Sequence, residues 1–181
     1  MYLSDVEIQN AIRDGELIID PFDTNMLEST TVNLHLAETL HVPKDFPSGT
    51  GLFINNFRDA RPQEFHDKRT LVQNHPYPLS RHDFVLGLTL ERVGISPSAK
   101  LMGFIEGRSG VARHGVIVHC SAPIVHPGWN GQLTLEIVNL GPHQVPLNVG
   151  ESICQIAFAR LGTPSSRPYP GTDTPQFGYR R

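Results

Sequence analysis

The chain has 181 residues, of which 39% are hydrophobic and 18% charged, with a formal net charge of -3. That length buries one sizeable core and suits a single domain, while the slightly acidic balance offers no general basic surface for nucleic acid. No apolar run approaches the roughly 20 residues that span a bilayer, and no secretory leader pattern is visible, so a cytoplasmic protein acting on a small anion, without a membrane partner, is expected.

In chain order, Ser4-Asp5-Val6-Glu7 reads as a capping box. It predicts a helix anchored by Val6, Ile8 and Ile12 and stopped at Gly15. Residues from about 43 to 80 are turn-rich, with a mixed charge run over 58–69, and read as a variable insertion or arm over the core. Strands are predicted over 84–90 and 153–158 from their β-branched and apolar content. With 15 Pro, 16 Gly and one clearly signalled helix, the expected class is mainly β, as a sandwich or distorted barrel. Cys120 and Cys154 lack paired spacing, so neither a disulfide framework nor a cysteine-rich zinc site is expected, and both should pack as small core hydrophobes. The tail after Gly162 is rich in Pro, Gly and Ser and forms no core strand; its composition alone fits a disordered end.

The densest chemistry lies in 107–139. Arg108-Ser109-Gly110 follows an apolar run, and Val111-Ala112-Arg113 reads as one helical turn closed by Gly115. Free N–H groups, the Ser109 hydroxyl and two guanidinium groups suit a phosphate there. An ordinary strand-to-helix turn is the competing reading of so short a motif. A strand over 117–121, a turn at Pro127-Gly128-Trp129-Asn130-Gly131 and an alternating strand over 132–139 follow. Leu133, Leu135 and Ile137 share one face of that last strand; Thr134, Glu136 and Val138 share the other. Glu136 is then either a solvated or Arg-paired outer-face carboxylate, or a proton shuttle held in a dry pocket, because desolvation brings a carboxylate's proton exchange toward neutral pH.

Ordered motifs across the chain resemble the dCTP deaminase branch of the trimeric dUTPase and dCTP deaminase superfamily. They are Met1-Tyr2-Leu3-Ser4-Asp5 with Ile8, Thr31-Val32-Asn33-Leu34-His35-Leu36, Val118-His119-Cys120-Ser121-Ala122 and Gly150-Glu151-Ser152-Ile153-Cys154-Gln155, together with the 107–139 segment. The resemblance implies a β-clip-like, distorted β-barrel of the dUTPase-like kind with a short N-terminal helix. It implies one nucleotide-binding domain over 1–161 and a flexible C-terminal lid over 162–181. A homotrimer with sites between subunits is implied, so that a monomer is inactive. The implied reaction is hydrolytic deamination of a cytosine deoxynucleotide, dCTP to dUTP and ammonia, by a metal-free route. Glu136 would take a proton from water, hydroxide would add to C4 of cytosine, and the proton would leave with ammonia. Ser109 and the Ala122 carbonyl fall where the family holds the attacking water, and Arg113 where a guanidinium supports that pocket. Arg108, Ser109, Gly110 and Gln155 fall where the triphosphate is held, with Mg²⁺ accompanying the phosphates. Trp129 either lies against the sugar, excluding a 2′-hydroxyl, or packs into the core. Arg167, Tyr169 and Gln176 are the implied lid contacts. The zinc deaminase pattern, H-x-E followed by P-C-x-x-C, does not occur, in keeping with a route that uses no zinc.

The chain departs from the family pattern at several positions. His126 stands where an Asp normally meets the sugar 3′-hydroxyl and, in dUTPases, activates water. Asn33 replaces an Asp, His35 an Arg, and Pro123 and Ile124 a His-Arg pair, while Gly110 takes the place of a second Ser and the Lys-Tyr pair near the lid is not evident. These changes count against ordinary dUTPase chemistry and leave room for a modified pyrimidine or another phosphate count. Two alternatives stand beside deamination: a dUTPase-type diphosphohydrolase, alone or combined with deamination, and a nucleotide-sensing relative. His119 reads as either a subunit-bridging or a satisfied core residue, and the other histidines as surface or loop residues without metal-ligand spacing.

Overall fold

The computed structural model describes residues 1–45 and 65–170. The capping box forms as expected. The Ser4 hydroxyl accepts the Glu7 N–H at 3.3 Å, and the Glu7 carboxylate accepts the Ser4 N–H at 2.9 Å, starting helix α1 (Asp5–Arg13). Ile8 and Ala11 are buried by this helix, but Val6 is 59% exposed. Two residues before Ile8 lies the opposite helix face, so Val6 cannot share its anchor. Gly15 follows at φ 73°, where a side chain would be strained.

The strands are β1 (Leu17–Asp20), β2 (Thr31–Pro43), β3 (His66–Thr70), β4 (Tyr77–Leu79), β5 (Phe84–Ile95), β6 (Leu101–Gly107), β7 (Val116–Ile117), β8 (Ile124–Val125), β9 (Asn130–Asn139), β10 (Val145–Leu147) and β11 (Ser152–Arg160). A one-turn helix α2 (Ser109–Ala112) follows β6. The main sheet is ordered β7-β9-β5-β2-β11-β6-β8, with β1 added to β5 and β3 to β2, while β10 and β4 form a separate pair. The sheet curls into a distorted half-barrel, so the mainly β expectation holds. Leu34, Leu36, Leu40, Leu135, Ile137 and Phe158 are fully buried within it. Each such side chain contributes about 1.5–3 kcal/mol through burial.

Two buried polar residues fasten the sheet. The Thr89 hydroxyl donates to the Glu91 carbonyl at 2.7 Å and accepts the Leu133 N–H at 2.9 Å, bridging the register break between Leu88 and Arg92. Asn139 donates to the carbonyls of Leu79 and His143 and accepts the Gly141 N–H at 2.9 Å. A third buried group, Glu91, is 1% exposed and takes both the N–H of His35 at 2.9 Å and its Nδ1 at 2.5 Å.

The described part of the segment read as a variable insertion or arm pairs with the main fold. There β3 pairs with β2 and β4 with β10, and Leu71 and Leu79 join the core; residues 46–64 lie outside the described residues. The strand expected over 117–121 stops at Ile117, because the Cys120 N–H goes to the Glu136 side chain rather than to a ladder. Cys154 is buried as expected, but Cys120 is exposed. His41 and His66 lie on strands rather than in loops. Among the described residues no helix is long and apolar enough to cross a membrane.

Candidate active site

β9 carries Glu136 on the face opposite its buried Leu133, Leu135 and Ile137. The side chain is half-buried, and one carboxylate oxygen accepts the Cys120 N–H at 2.8 Å. That donor fixes the carboxylate while its second oxygen stays available to another proton donor. Glu136 lines a cavity of about 240 Å³ together with Ala122, His126, Trp129, Tyr169 and His119. The floor of this cavity is apolar, from Ile105, Val125 and Leu133. Five of the predicted site residues therefore meet in one small space, with Glu136 half-buried among them. His119 Nδ1 is buried without a partner among the described residues, an atom that seeks a hydrogen bond. Trp129 packs against the core and also lines the cavity.

A second cavity, of about 930 Å³, opens at the junction of β6 and α2, with Arg108, Ser109, Gly110 and Gln155 in its lining. Helix α2 begins at Ser109 and its backbone turns at Gly115, at φ 84°, as the motif predicted. The Arg108 guanidinium donates to the Ser152 carbonyl at 3.1 Å. Gln155 is held from both ends, accepting from the Thr31 hydroxyl at 3.0 Å and donating to the Gly107 carbonyl at 3.2 Å. Nothing in the sequence pattern signals Thr31 in that role; only the β2–β11 pairing brings it there. Asn33 Oδ1 and Ser152 Oγ in this lining are buried and unpartnered among the described residues. Arg113 lines an adjoining cavity of about 740 Å³ that shares Ala112, His114 and Glu151 with the larger one.

The small cavity and the 930 Å³ cavity share no lining residue. Within one chain the carboxylate and the Ala122 carbonyl thus sit apart from the Arg/Ser turn. Tyr169 is in the small cavity; Arg167 is exposed, and Gln176 lies outside the described residues. Sequence reasoning missed the Cys120 amide as the group that holds Glu136, since the donor is backbone and leaves no trace in residue type. It also missed Glu91 beneath His35.

The two thiols differ sharply. Burial pushes Cys154 up to about 12, which makes it inert. Cys120 is raised by burial and then by the Glu136 charge. Among the described residues no three His, Cys, Asp or Glu side chains gather as a metal-ligating group.

The dCTP deaminase-like family model matches residues 2–161. A dCTP deaminase of Natronomonas pharaonis is 35% identical over 171 residues, covering 93% of this chain and 85% of the relative. A protein of Dictyoglomus thermophilum named dCTP deaminase, dUMP-forming, is 36% identical over 172 residues with the same coverage. Among solved structures, 2′-deoxycytidine 5′-triphosphate deaminase from Agrobacterium tumefaciens superposes with a TM-score of 0.66 at 16% identity. That match covers 89% of this chain and 48% of the solved one, so the chain spans about half its length and shares the fold. With the motifs in order along one curled sheet and the match running through nearly every strand, the chain belongs to the dCTP deaminase-like family.

Proposed function

We propose that the protein deaminates a cytosine deoxynucleotide, dCTP to dUTP and ammonia, within pyrimidine deoxynucleotide metabolism. The observation that carries this reading is Glu136, half-buried in a cavity of about 240 Å³ and oriented by the Cys120 N–H at 2.8 Å. Its free oxygen takes a proton from water as the water oxygen bonds to C4 of the cytosine. Glu136 then returns that proton to the exocyclic nitrogen, the C4–N bond breaks, and ammonia leaves a uracil ring behind. The Ala122 carbonyl and the Ser109 hydroxyl hold the water, and Arg113 supports the polar side of the pocket. His126, in place of an acid, meets the sugar 3′-hydroxyl as a hydrogen-bond acceptor. Arg108, Ser109, Gly110 and Gln155 bind the triphosphate, and Tyr169 borders the site.

Ala122 and Ser109 line separate cavities within one chain. That separation supports a homotrimer in which one subunit supplies Glu136 and its neighbour the Arg/Ser turn. Mg²⁺ travels with the phosphates in this reading. A hard cation takes oxygen donors, and the large cavity offers Glu28, Glu151 and the unpartnered Asn33 Oδ1. The cytoplasm is the proposed location, supported by two free cysteines. A combined reaction that also releases pyrophosphate is the second reading, favoured by the dUMP-forming name of the Dictyoglomus relative; His126 in the usual acid position weighs against it.

The test is a turnover panel of cytosine and uracil nucleotides at each phosphate count with Mg²⁺, scoring ammonia and pyrophosphate separately. Ammonia from dCTP that disappears in Glu136→Gln is the expected result. Pyrophosphate alone would replace deamination by the diphosphohydrolase reading, and tight binding without either product would make the protein a nucleotide sensor.

A further inference from the structure

We propose that Gly128 and Tyr169 form a seat within one chain that fixes the Trp129 indole, and that this seat sets the preference for deoxyribose over ribose. The inference rests on the deoxynucleotide reading of the small cavity. Gly128 adopts φ 87°, and the space a side chain would need is already filled. A Cβ there would overlap the Tyr169 carbonyl oxygen and come within 3.0 Å of the Tyr169 nitrogen. The tail backbone therefore passes directly over residue 128, and the Tyr169 N–H donates to the Pro127 carbonyl at 2.7 Å. From this anchor the Tyr169 ring tilts against the indole, with centroids 5.3 Å apart and planes at 54°. Such tilted aromatic packing is favourable and directional.

The indole is also held by a hydrogen bond. Its Nε1–H donates to the Gly131 carbonyl at 3.3 Å. The turn beneath is pinned to the end of β5 by two bonds, Gly128 N–H to the Ile95 carbonyl at 2.8 Å and Ile95 N–H to the Trp129 carbonyl at 2.9 Å. Trp129 and Tyr169 line the same cavity as Glu136. Rejecting a ligand that differs by one added hydroxyl needs a wall that does not retreat, because a small shift of the ring would admit it. Tyr169 supplies that rigidity from the same chain, which makes it a positioning residue acting through Trp129.

Trp129 is the sole tryptophan, so its emission reports the seat directly. The experiment uses the full chain as wild type, Tyr169→Ala, Tyr169→Phe and Gly128→Ala, and measures tryptophan emission, acrylamide quenching, and kcat and KM for dCTP and CTP. Tyr169→Ala and Gly128→Ala should shift the emission to the red and admit the quencher. Their preference for dCTP over CTP should fall roughly tenfold, chiefly through KM, while Tyr169→Phe retains the wild-type emission and preference. Gly128→Ala also strains the backbone, so Tyr169→Ala decides if that variant does not fold. Unchanged emission in Tyr169→Ala overturns the seat. Altered emission with an unchanged dCTP-to-CTP preference overturns its role in discrimination. A wild-type chain that processes neither nucleotide but shows the emission shifts overturns the substrate reading and the discrimination while the seat stands.

Discussion

Glu136 and Cys120 act as one unit at the scale of single residues. The carboxylate accepts the Cys120 amide, and its charge is the second cause, after burial, that raises the Cys120 thiol. Glu136→Gln keeps an oxygen to accept that amide but loses the proton shuttle, so ammonia release should fall by about 10²–10⁴-fold while dCTP binding survives. Loss of binding to the same extent would instead mark Glu136 as a ligand contact. The same substitution removes a negative charge beside the thiol, which should lower the Cys120 pKa and speed its alkylation by iodoacetamide at neutral pH. Equal or slower alkylation in the variant would contradict the coupling, and Cys154, pushed up to about 12, should stay unlabelled in both folded proteins. Glu136 was legible in the sequence because a lone acid in a period-two strand announces its face. Cys120 was misread because its exposure follows from where β7 ends, and that is set by a side-chain-to-backbone bond no residue pattern encodes.

Between elements, polar staples hold strands whose apolar faces would otherwise slide. Asn139 satisfies three backbone groups, one at Leu79 and two in the turn after β9 at Gly141 and His143. Asn139→Ala leaves them unpaired and should cost about 2–4 kcal/mol in urea unfolding, where a loss under 1 kcal/mol would show that relaxation or water replaces the bonds. The paired strands β2 and β3 carry a pH dependence. Burial lowers the His41 pKa from its ordinary 6.5, with His66 and Lys68 adding like-charge repulsion. The unfolded chain thus binds more protons below about pH 6.5, and stability falls as pH drops from there through the folded pKa. Thermal unfolding from pH 7.5 to 5 should show this fall, and His41→Gln should shallow it; an identical slope in both would assign it to other groups. The helix start was readable because a capping box is local chemistry. The lengths of β2 and β5, and the short strands β3 and β4 between them, were not, since they depend on partners distant in sequence.

For the whole molecule, the division of the predicted site between two separate cavities is the informative feature. The motifs gave each residue an expected role, yet only the fold reveals that one chain holds the carboxylate and the Arg/Ser turn in cavities with no shared lining. In the proposed homotrimer, closed cyclic symmetry would join one half from each neighbour. The direct measurement is ammonia release from dCTP by Glu136→Gln, by Ser109→Ala, and by the two mixed under conditions that let subunits exchange. Each variant alone should be nearly inactive, and an equal mixture should regain about a quarter of the wild-type rate, because a site built between copies is intact whenever each contributes its unaltered half. No recovery in exchanged mixtures would place the whole site within one chain, and no ammonia from the wild-type protein would contradict deamination itself.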